Sequence, residues 1–317
     1  MHKTYYAHGK LLITGEYLVL DKAKALALPT KLGQKLSVKT TDKSGIKWSS
    51  FLADGSLWFS QEFNFDNQQI NYRIKKENLK NEDVIKNLNF ILQEVFKLSS
   101  KLDFKNGYEI NSFLEFPRDW GLGSSSTLIH NLSQWAQINP YQLLKKTFGG
   151  SGYDIACADK NTPIIYQRNE ESPSIKSVSF QPHFSDQIFF VYLNQKKNSR
   201  EAIQHYRSLD KVAKKKATTE INKITDSILD STIALSEFEQ LINKHEEILS
   251  KVLKTPTIKE QLFKNYKGSI KSLGGWGGDF ILATGSFKMM SYFKDLGYTT
   301  IIPFSEMVFN NNTQPQN

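Results

Sequence analysis

The sequence predicts an α+β fold in two domains, and three observations point there. Short strand-like runs and helical runs are mixed without the steady strand–helix alternation of a parallel doubly wound sheet. The 317 residues are 39% hydrophobic and 12% aromatic, enough for one large core or two smaller ones. A glycine-rich stretch, "FPRDWGLGSSSTL" at 116–128, joins a strand pattern directly to a helix pattern. No internal repeat or low-complexity linker marks a boundary, so the order of elements alone suggests domains at 1–165 and 166–305, with a disordered tail at 306–317.

Taken along the chain, "KLLITGEYLVL" (10–20) reads as strand and turn, and "QKLSVKTT" (34–41), "GIKWSSFL" (45–52) and "SLWFSQEF" (56–63) as short strands separated by polar turns. Val84, Leu88, Ile91, Leu92, Val95 and Phe96 share one helical face, with Asn81 placed to cap it. "GYEINSFLEF" (107–116) alternates as a strand does. Helices are expected at about 126–137 and 141–148. The second half offers strands at 163–168, 174–180 and 187–193, long helices across 200–253, a strand within 277–284, a helix at 287–297 and a last strand at 298–304.

Composition excludes several classes of function. No apolar run is long enough for a bilayer-spanning helix, and the first ten residues lack the apolar core of a secretory signal, so a cytoplasmic location is expected. A single cysteine, Cys157, rules out an intramolecular disulfide and a cysteine-built zinc site. The six histidines lack ligand spacing. The net charge of +9 suits an anionic partner, but stretches such as "DKVAKKKATTEINK" (210–223) read more naturally as a solvated helix face than as a nucleic-acid stripe.

The stretch at 116–128 carries chemistry. A strand, a glycine turn and a helix start gather free backbone N–H groups at the positive end of a helix dipole. Gly121 and Gly123 permit positive φ and close approach of an anion, while Ser124, Ser125 and Ser126 offer hydroxyls. Read alone, the stretch does not decide between a phosphate cradle and an ordinary serine cap. It also fails the Walker pattern, because no Lys follows the last glycine.

Two further stretches break the tie. "AHGKLLITGEYLVL" near the start, "PRDWGLGSSST" in the middle and "SLGGWGGDFILAT" near the end resemble, in order and spacing, the three signature motifs of the GHMP kinases. The central pattern Pro-x-x-x-Gly-Leu-Gly-Ser-Ser is matched by Pro117, Gly121, Leu122, Gly123, Ser124 and Ser125. The resemblance implies a GHMP kinase fold, with an N-terminal half like a ribosomal-protein domain and a ferredoxin-like C-terminal half. It further implies ATP and Mg²⁺ as cofactors, with Gly121 to Ser126 on the phosphates.

Within that superfamily, "GGSGYDIACA" (149–158) resembles the segment that carries the catalytic aspartate of mevalonate and phosphomevalonate kinases, and "GYDIA" a named bacterial branch. The resemblance makes Asp154 the catalytic aspartate and Lys10 the lysine beside it. A carboxylate accepts the proton of an attacking hydroxyl, and an ammonium keeps that carboxylate ionised and offsets charge on the transferred phosphoryl group. It also assigns Glu16, Tyr17, Ser151, Gly152, Ser199, Arg200, Gly275 and Gly277 to the acceptor. The chain departs from the family at His8, where Pro is usual, at Tyr17, where His is frequent, and at Trp276, which interrupts the third glycine run. No acid stands in "YQLLKKTFGGSGY" (141–153) before Asp154, so the glutamate that helps hold Mg²⁺ in mevalonate kinases is missing. Ser125, the nucleotide and water, or a carboxylate from elsewhere in the fold, are left to carry the ion.

These residues together point to a kinase for a small anionic acceptor, phosphomevalonate or mevalonate, in isoprenoid precursor synthesis. A catalytically silent nucleotide sensor and a kinase for another small alcohol or sugar are the alternatives. The partner expected is the small-molecule substrate, with no specific nucleic acid and no membrane; a homodimer stands open beside a monomer.

Overall fold

Why one cut cannot divide this chain is visible in its longest strand. The computed structural model describes residues 2–195 and 199–309, the side chains of 199–202 excepted. Its contacts separate into two compact units that interleave along the sequence. The first holds residues 1–9, 32–118 and 123–159; the second holds 10–31, 119–122 and 160–317. Strands β1 (His2–Leu12) and β2 (Ala25–Thr41) both run from one unit into the other. The division therefore departs from the contiguous 1–165 and 166–305 that the element order suggests.

In the first unit, β3 (Gly45–Phe51), β4 (Leu57–Asp66) and β5 (Gln69–Tyr72) form an antiparallel meander. After α1 (Glu82–Leu98) the chain enters β6 (Gly107–Leu114), which lies parallel to β3 and antiparallel to residues 34–41 of β2. Then come α2 (Ser124–Ala136), α3 (Pro140–Lys146) and α4 (Tyr153–Ala158). Of the α1 face read from the sequence, Leu88, Ile91, Leu92, Val95 and Phe96 are at most 4% exposed and Val84 is only partly covered, while Ile85, outside that reading, is fully buried. Each such side chain contributes about 1.5–3 kcal/mol when taken from water. They meet Trp48, Phe63, Ile110 and Trp135 in one core. Asn81 stands at the N-cap position but makes no side-chain cap; its Oδ1 accepts the Trp58 Nε1–H instead, at 2.9 Å. Asn139 does cap, accepting from Tyr141 and Gln142 N–H ahead of Pro140.

In the second unit, the start of β2 pairs with β7 (Ile164–Gln167), and β7 with β8 (Ser174–Ser177). A separate antiparallel sheet is built from β9 (Ile188–Tyr192), β10 (Ile270–Leu273), β11 (Phe280–Thr284) and β12 (Ile301–Pro303), in the order β10–β11–β9–β12. Between β9 and β10 run α5 (Ser199–Arg207), α6 (Lys211–Ile228), α7 (Leu235–Leu253) and α8 (Ile258–Leu262). α9 (Ser291–Asp295) precedes β12, and α10 (Phe304–Met307) follows it. Strands β9 and β11 are buried at every position, which is why they read as unbroken apolar runs.

Residues 306–309, which the sequence reading places in the tail at 306–317, belong to the folded chain, Glu306 in α10. Met307 and Val308 are buried, and Val308 bridges Thr30; residues 310–317 lie outside the described residues. Among the described residues no helix is long and apolar enough to cross a membrane.

Candidate active site

Local chemistry shapes the loop at 117–126 residue by residue. In the first unit, Arg118 lays its guanidinium over the Trp58 ring, 3.5 Å from the centroid. In the second, Asp119 Oδ2 accepts the Tyr192 O–H at 2.8 Å, and Trp120 packs edge-on against Phe280. Burial and the Asp119 carboxylate both push the Tyr192 phenol upward, so it stays a donor. Leu122 is buried at 1% exposure. Gly121 takes φ +66°, and a Cβ there would fall 2.1 Å from Asp279 Oδ2, so only glycine fits.

Lys10 is where the first and second motifs meet. Its N–H donates to Leu122 O at 3.0 Å, and its Nζ donates to Gly121 O at 3.0 Å. The side chain is 9% exposed and lines a small cleft together with Trp120, Gly121, Gly274 and Asp279. Segments far apart in sequence, one from each recognised motif, thus converge within the second unit.

The helix start and Asp154 belong to the first unit. Gly123 caps α2 at φ +89°, and its carbonyl accepts from Ser126 and Thr127 N–H. Helix geometry leaves the N–H groups of Ser124 and Ser125 directed outward at the positive end of the dipole. Ser125 is exposed; Ser124 and Ser126 are half-buried. The helix α2 begins two residues before the expected Ser126, so all three serines lie in its first turn. Asp154 is half-buried in the first turn of α4, after Gly152 at φ +91°, with Ser151 half-buried beside it.

The third motif forms the turn between β10 and β11. Gly275 O accepts from Gly278 N–H, and Gly277 N–H donates to Ser272 Oγ at 3.2 Å. Trp276 donates its N–H to Tyr17 Oη at 2.8 Å and its Nε1–H to Pro256 O at 3.1 Å. Asp279 ties the turn to β9's exit, donating to Gln195 O and accepting from Leu193 N–H.

Glu16 stands differently from its expected acceptor role. It is 1% exposed, and its carboxylate is held internally by the Lys271 ammonium at 2.5 Å, in place of the accessible carboxylate that substrate contact needs. His245 and Glu246 of α7 complete this cluster, which sequence reading missed. Nothing in the four-residue run of β10 singles out Lys271 as a buried cation. Lys196 and Lys197 lie outside the described residues, as do the side chains of Ser199 and Arg200, whose backbone opens α5. Trp48 and Trp135 are core residues.

Among the described residues no group of three or more His, Cys, Asp or Glu side chains is arranged to hold a metal ion. The donors present, an exposed Ser125 hydroxyl and a half-buried Asp154, suit a cation that takes most of its ligands from phosphate oxygens and water.

No family model matches the chain, and no curated protein does. Solved structures do. The mevalonate kinase of L. major in complex with R-mevalonate is 16% identical, with 94% of each chain covered and a TM-score of 0.66. The Lactococcus lactis galactokinase complexed with galactose is 13% identical, covering 98% of this chain and 93% of its own, at a TM-score of 0.68. The Streptococcus pneumoniae phosphomevalonate kinase in complex with phosphomevalonate and AMPPNP is 17% identical, covering 94% and 99%, at 0.60. With these neighbours over nearly its whole length, the chain has the fold of the GHMP kinases.

Proposed function

We propose that the protein is an ATP-dependent kinase that transfers the γ-phosphate to a hydroxyl or phosphate of a small anionic acceptor. The observation that carries this reading is the convergence of Lys10, Gly121 and the turn at 274–279 around one cleft, in a chain whose fold is that of small-molecule kinases. Phosphomevalonate or mevalonate is the acceptor we favour, by likeness to neighbours that bind them. That choice places the enzyme in isoprenoid precursor synthesis, in the cytoplasm.

In this reading the α2 N-terminus and the Gly121–Ser126 backbone receive the nucleotide phosphates, where N–H donors and the helix dipole favour negative charge. Asp154 accepts the proton of the attacking group, and Lys10 offsets the charge that develops on the transferred phosphoryl. Ser151, Gly152, Tyr17, Gly275 and Gly277 remain candidates for the acceptor side, with Ser199 and Arg200. Mg²⁺, when bound with the nucleotide, supplies charge neutralisation across the phosphates; Ser125 Oγ is the protein ligand we assign to it.

The test is coupled ADP release with ATP and Mg²⁺, offering mevalonate, phosphomevalonate, homoserine and galactose in parallel. Turnover with one of the first two is expected, falling at least about a hundredfold in Asp154→Asn. Measurable ATP binding with no turnover on any acceptor would replace this reading with a nucleotide sensor.

A further inference from the structure

A glycine-rich turn that must hold a ligand needs something rigid to hold it, and the second unit contains such a support. Lys271, in β10, is 0% exposed and stands three residues before Gly274, where the turn to β11 begins. Its ammonium donates to Glu16 Oε1 at 2.5 Å and to Ser272 O at 2.9 Å, and lies 3.5 Å from Glu246 Oε1. Glu16, 1% exposed, also has its Oε2 3.2 Å from His245 Nε2, which accepts the Gly15 N–H at 3.2 Å. A buried charge is costly without a partner, so Lys271 needs its carboxyls here and Glu16 needs the ammonium.

Two hydrogen bonds connect this pair to the turn. Ser272, next to Lys271, accepts the Gly277 N–H on Oγ. Tyr17, next to Glu16, accepts the Trp276 N–H on Oη. Tyr17 itself is held at φ 58°, ψ −47°, a backbone state that a non-glycine residue adopts only under constraint. Its ring stacks on Tyr206, whose hydroxyl donates to Asp21.

We infer that Glu16 and Lys271 form a buried ionic anchor that sets the position of the turn Gly274–Gly278, and so act on acceptor binding as positioning residues without touching the acceptor. The effect on acceptor binding rests on the kinase reading above; the effect on the turn does not. Glu246 is the third member of the anchor. Lys271 is shared between two carboxyls, and its hold on Glu16 weakens when Glu246 ionises and competes for the ammonium.

The experiment compares wild type, Glu16→Gln, Lys271→Met and the double variant by hydrogen exchange of the peptide covering 273–279, and by KM for ATP, mevalonate and phosphomevalonate. Glu16→Gln is expected to speed exchange of the turn amides about tenfold and to raise the acceptor KM while the ATP KM stays within about twofold. Lys271→Met leaves the buried carboxyls of Glu16 and Glu246 without their ammonium and is expected to lower Tm more than the double variant, which leaves only Glu246 so. Should Lys271→Met fail to fold, recovery of folding by the double variant supports the anchor equally. A folded Glu16→Gln with wild-type exchange at 273–279 overturns it; if its acceptor KM has nevertheless risen, Glu16 touches the acceptor and the kinase reading stands. If wild type turns over no acceptor, the kinase reading falls, and the exchange data alone decide the anchor.

Discussion

A Cβ on Gly121 would lie 2.1 Å from Asp279 Oδ2 and 2.8 Å from Asp279 Cβ, at φ +66°. Gly149 shares the left-handed conformation, φ +65°, but a Cβ there meets nothing within 4 Å. The pair separates conformational strain from collision. Gly149→Ala should cost about 1–2 kcal/mol, the left-handed penalty alone. Gly121→Ala should cost more than that and should also weaken ATP binding, because Asp279 must move and its neighbours line the Lys10 cleft. Urea unfolding of both variants, with nucleotide titration, checks the difference. Gly121 was legible from sequence as part of a motif; the reason for it, an Asp279 side chain in the space a Cβ would fill, was not.

At the scale of elements, α6 starts against its own charge. Lys211, Lys214, Lys215 and Lys216 crowd the first two turns, where the helix dipole disfavours cations. Asp210 offsets this by capping, its Oδ1 accepting the Ala213 N–H at 2.7 Å. Asp210→Ala should destabilise the protein by about 1 kcal/mol, and Asp210→Asn, which keeps the cap, by less; thermal unfolding at low salt measures both. The helix α1, with its clear apolar face, was legible because period alone shows which side is buried. β5 and β10, four residues each, were not, since so short a run contains too few turns of any pattern to identify it. The cap expected of Asn81 failed for a tertiary reason, because Trp58 Nε1 claimed its oxygen.

For the molecule as a whole, the buried cluster makes stability depend on pH with two opposing signs. Burial, together with the Glu16 charge and against the pull of Lys271, raises the Glu246 carboxyl to about 7 from 4.5. The folded state therefore binds a proton that the unfolded state has released, and stability falls as pH rises from about 4.5 to 7. Burial and Lys271 hold His245 neutral, well below the usual imidazole range. Its unfolded form takes up a proton below 6.5, so stability rises with pH up to that point. The two slopes oppose each other in wild type. Glu246→Gln removes one of them, so its Tm relative to wild type should climb between pH 5 and 7 and level off above, by a stability difference of order 3 kcal/mol. A Tm difference flat across that range would show that Glu246 does not titrate there. Sequence alone determined the α+β class, the three motifs and the residues proposed for chemistry, because glycines, serines and an aspartate at fixed local spacing declare the backbone states and charges they serve. Only the tertiary structure decided that Glu16 is an internal ion-pair partner. That pair joins residues 255 positions apart, and Gly15 reaches His245 across 230. Burial at that separation is a property of packing, which no local pattern encodes.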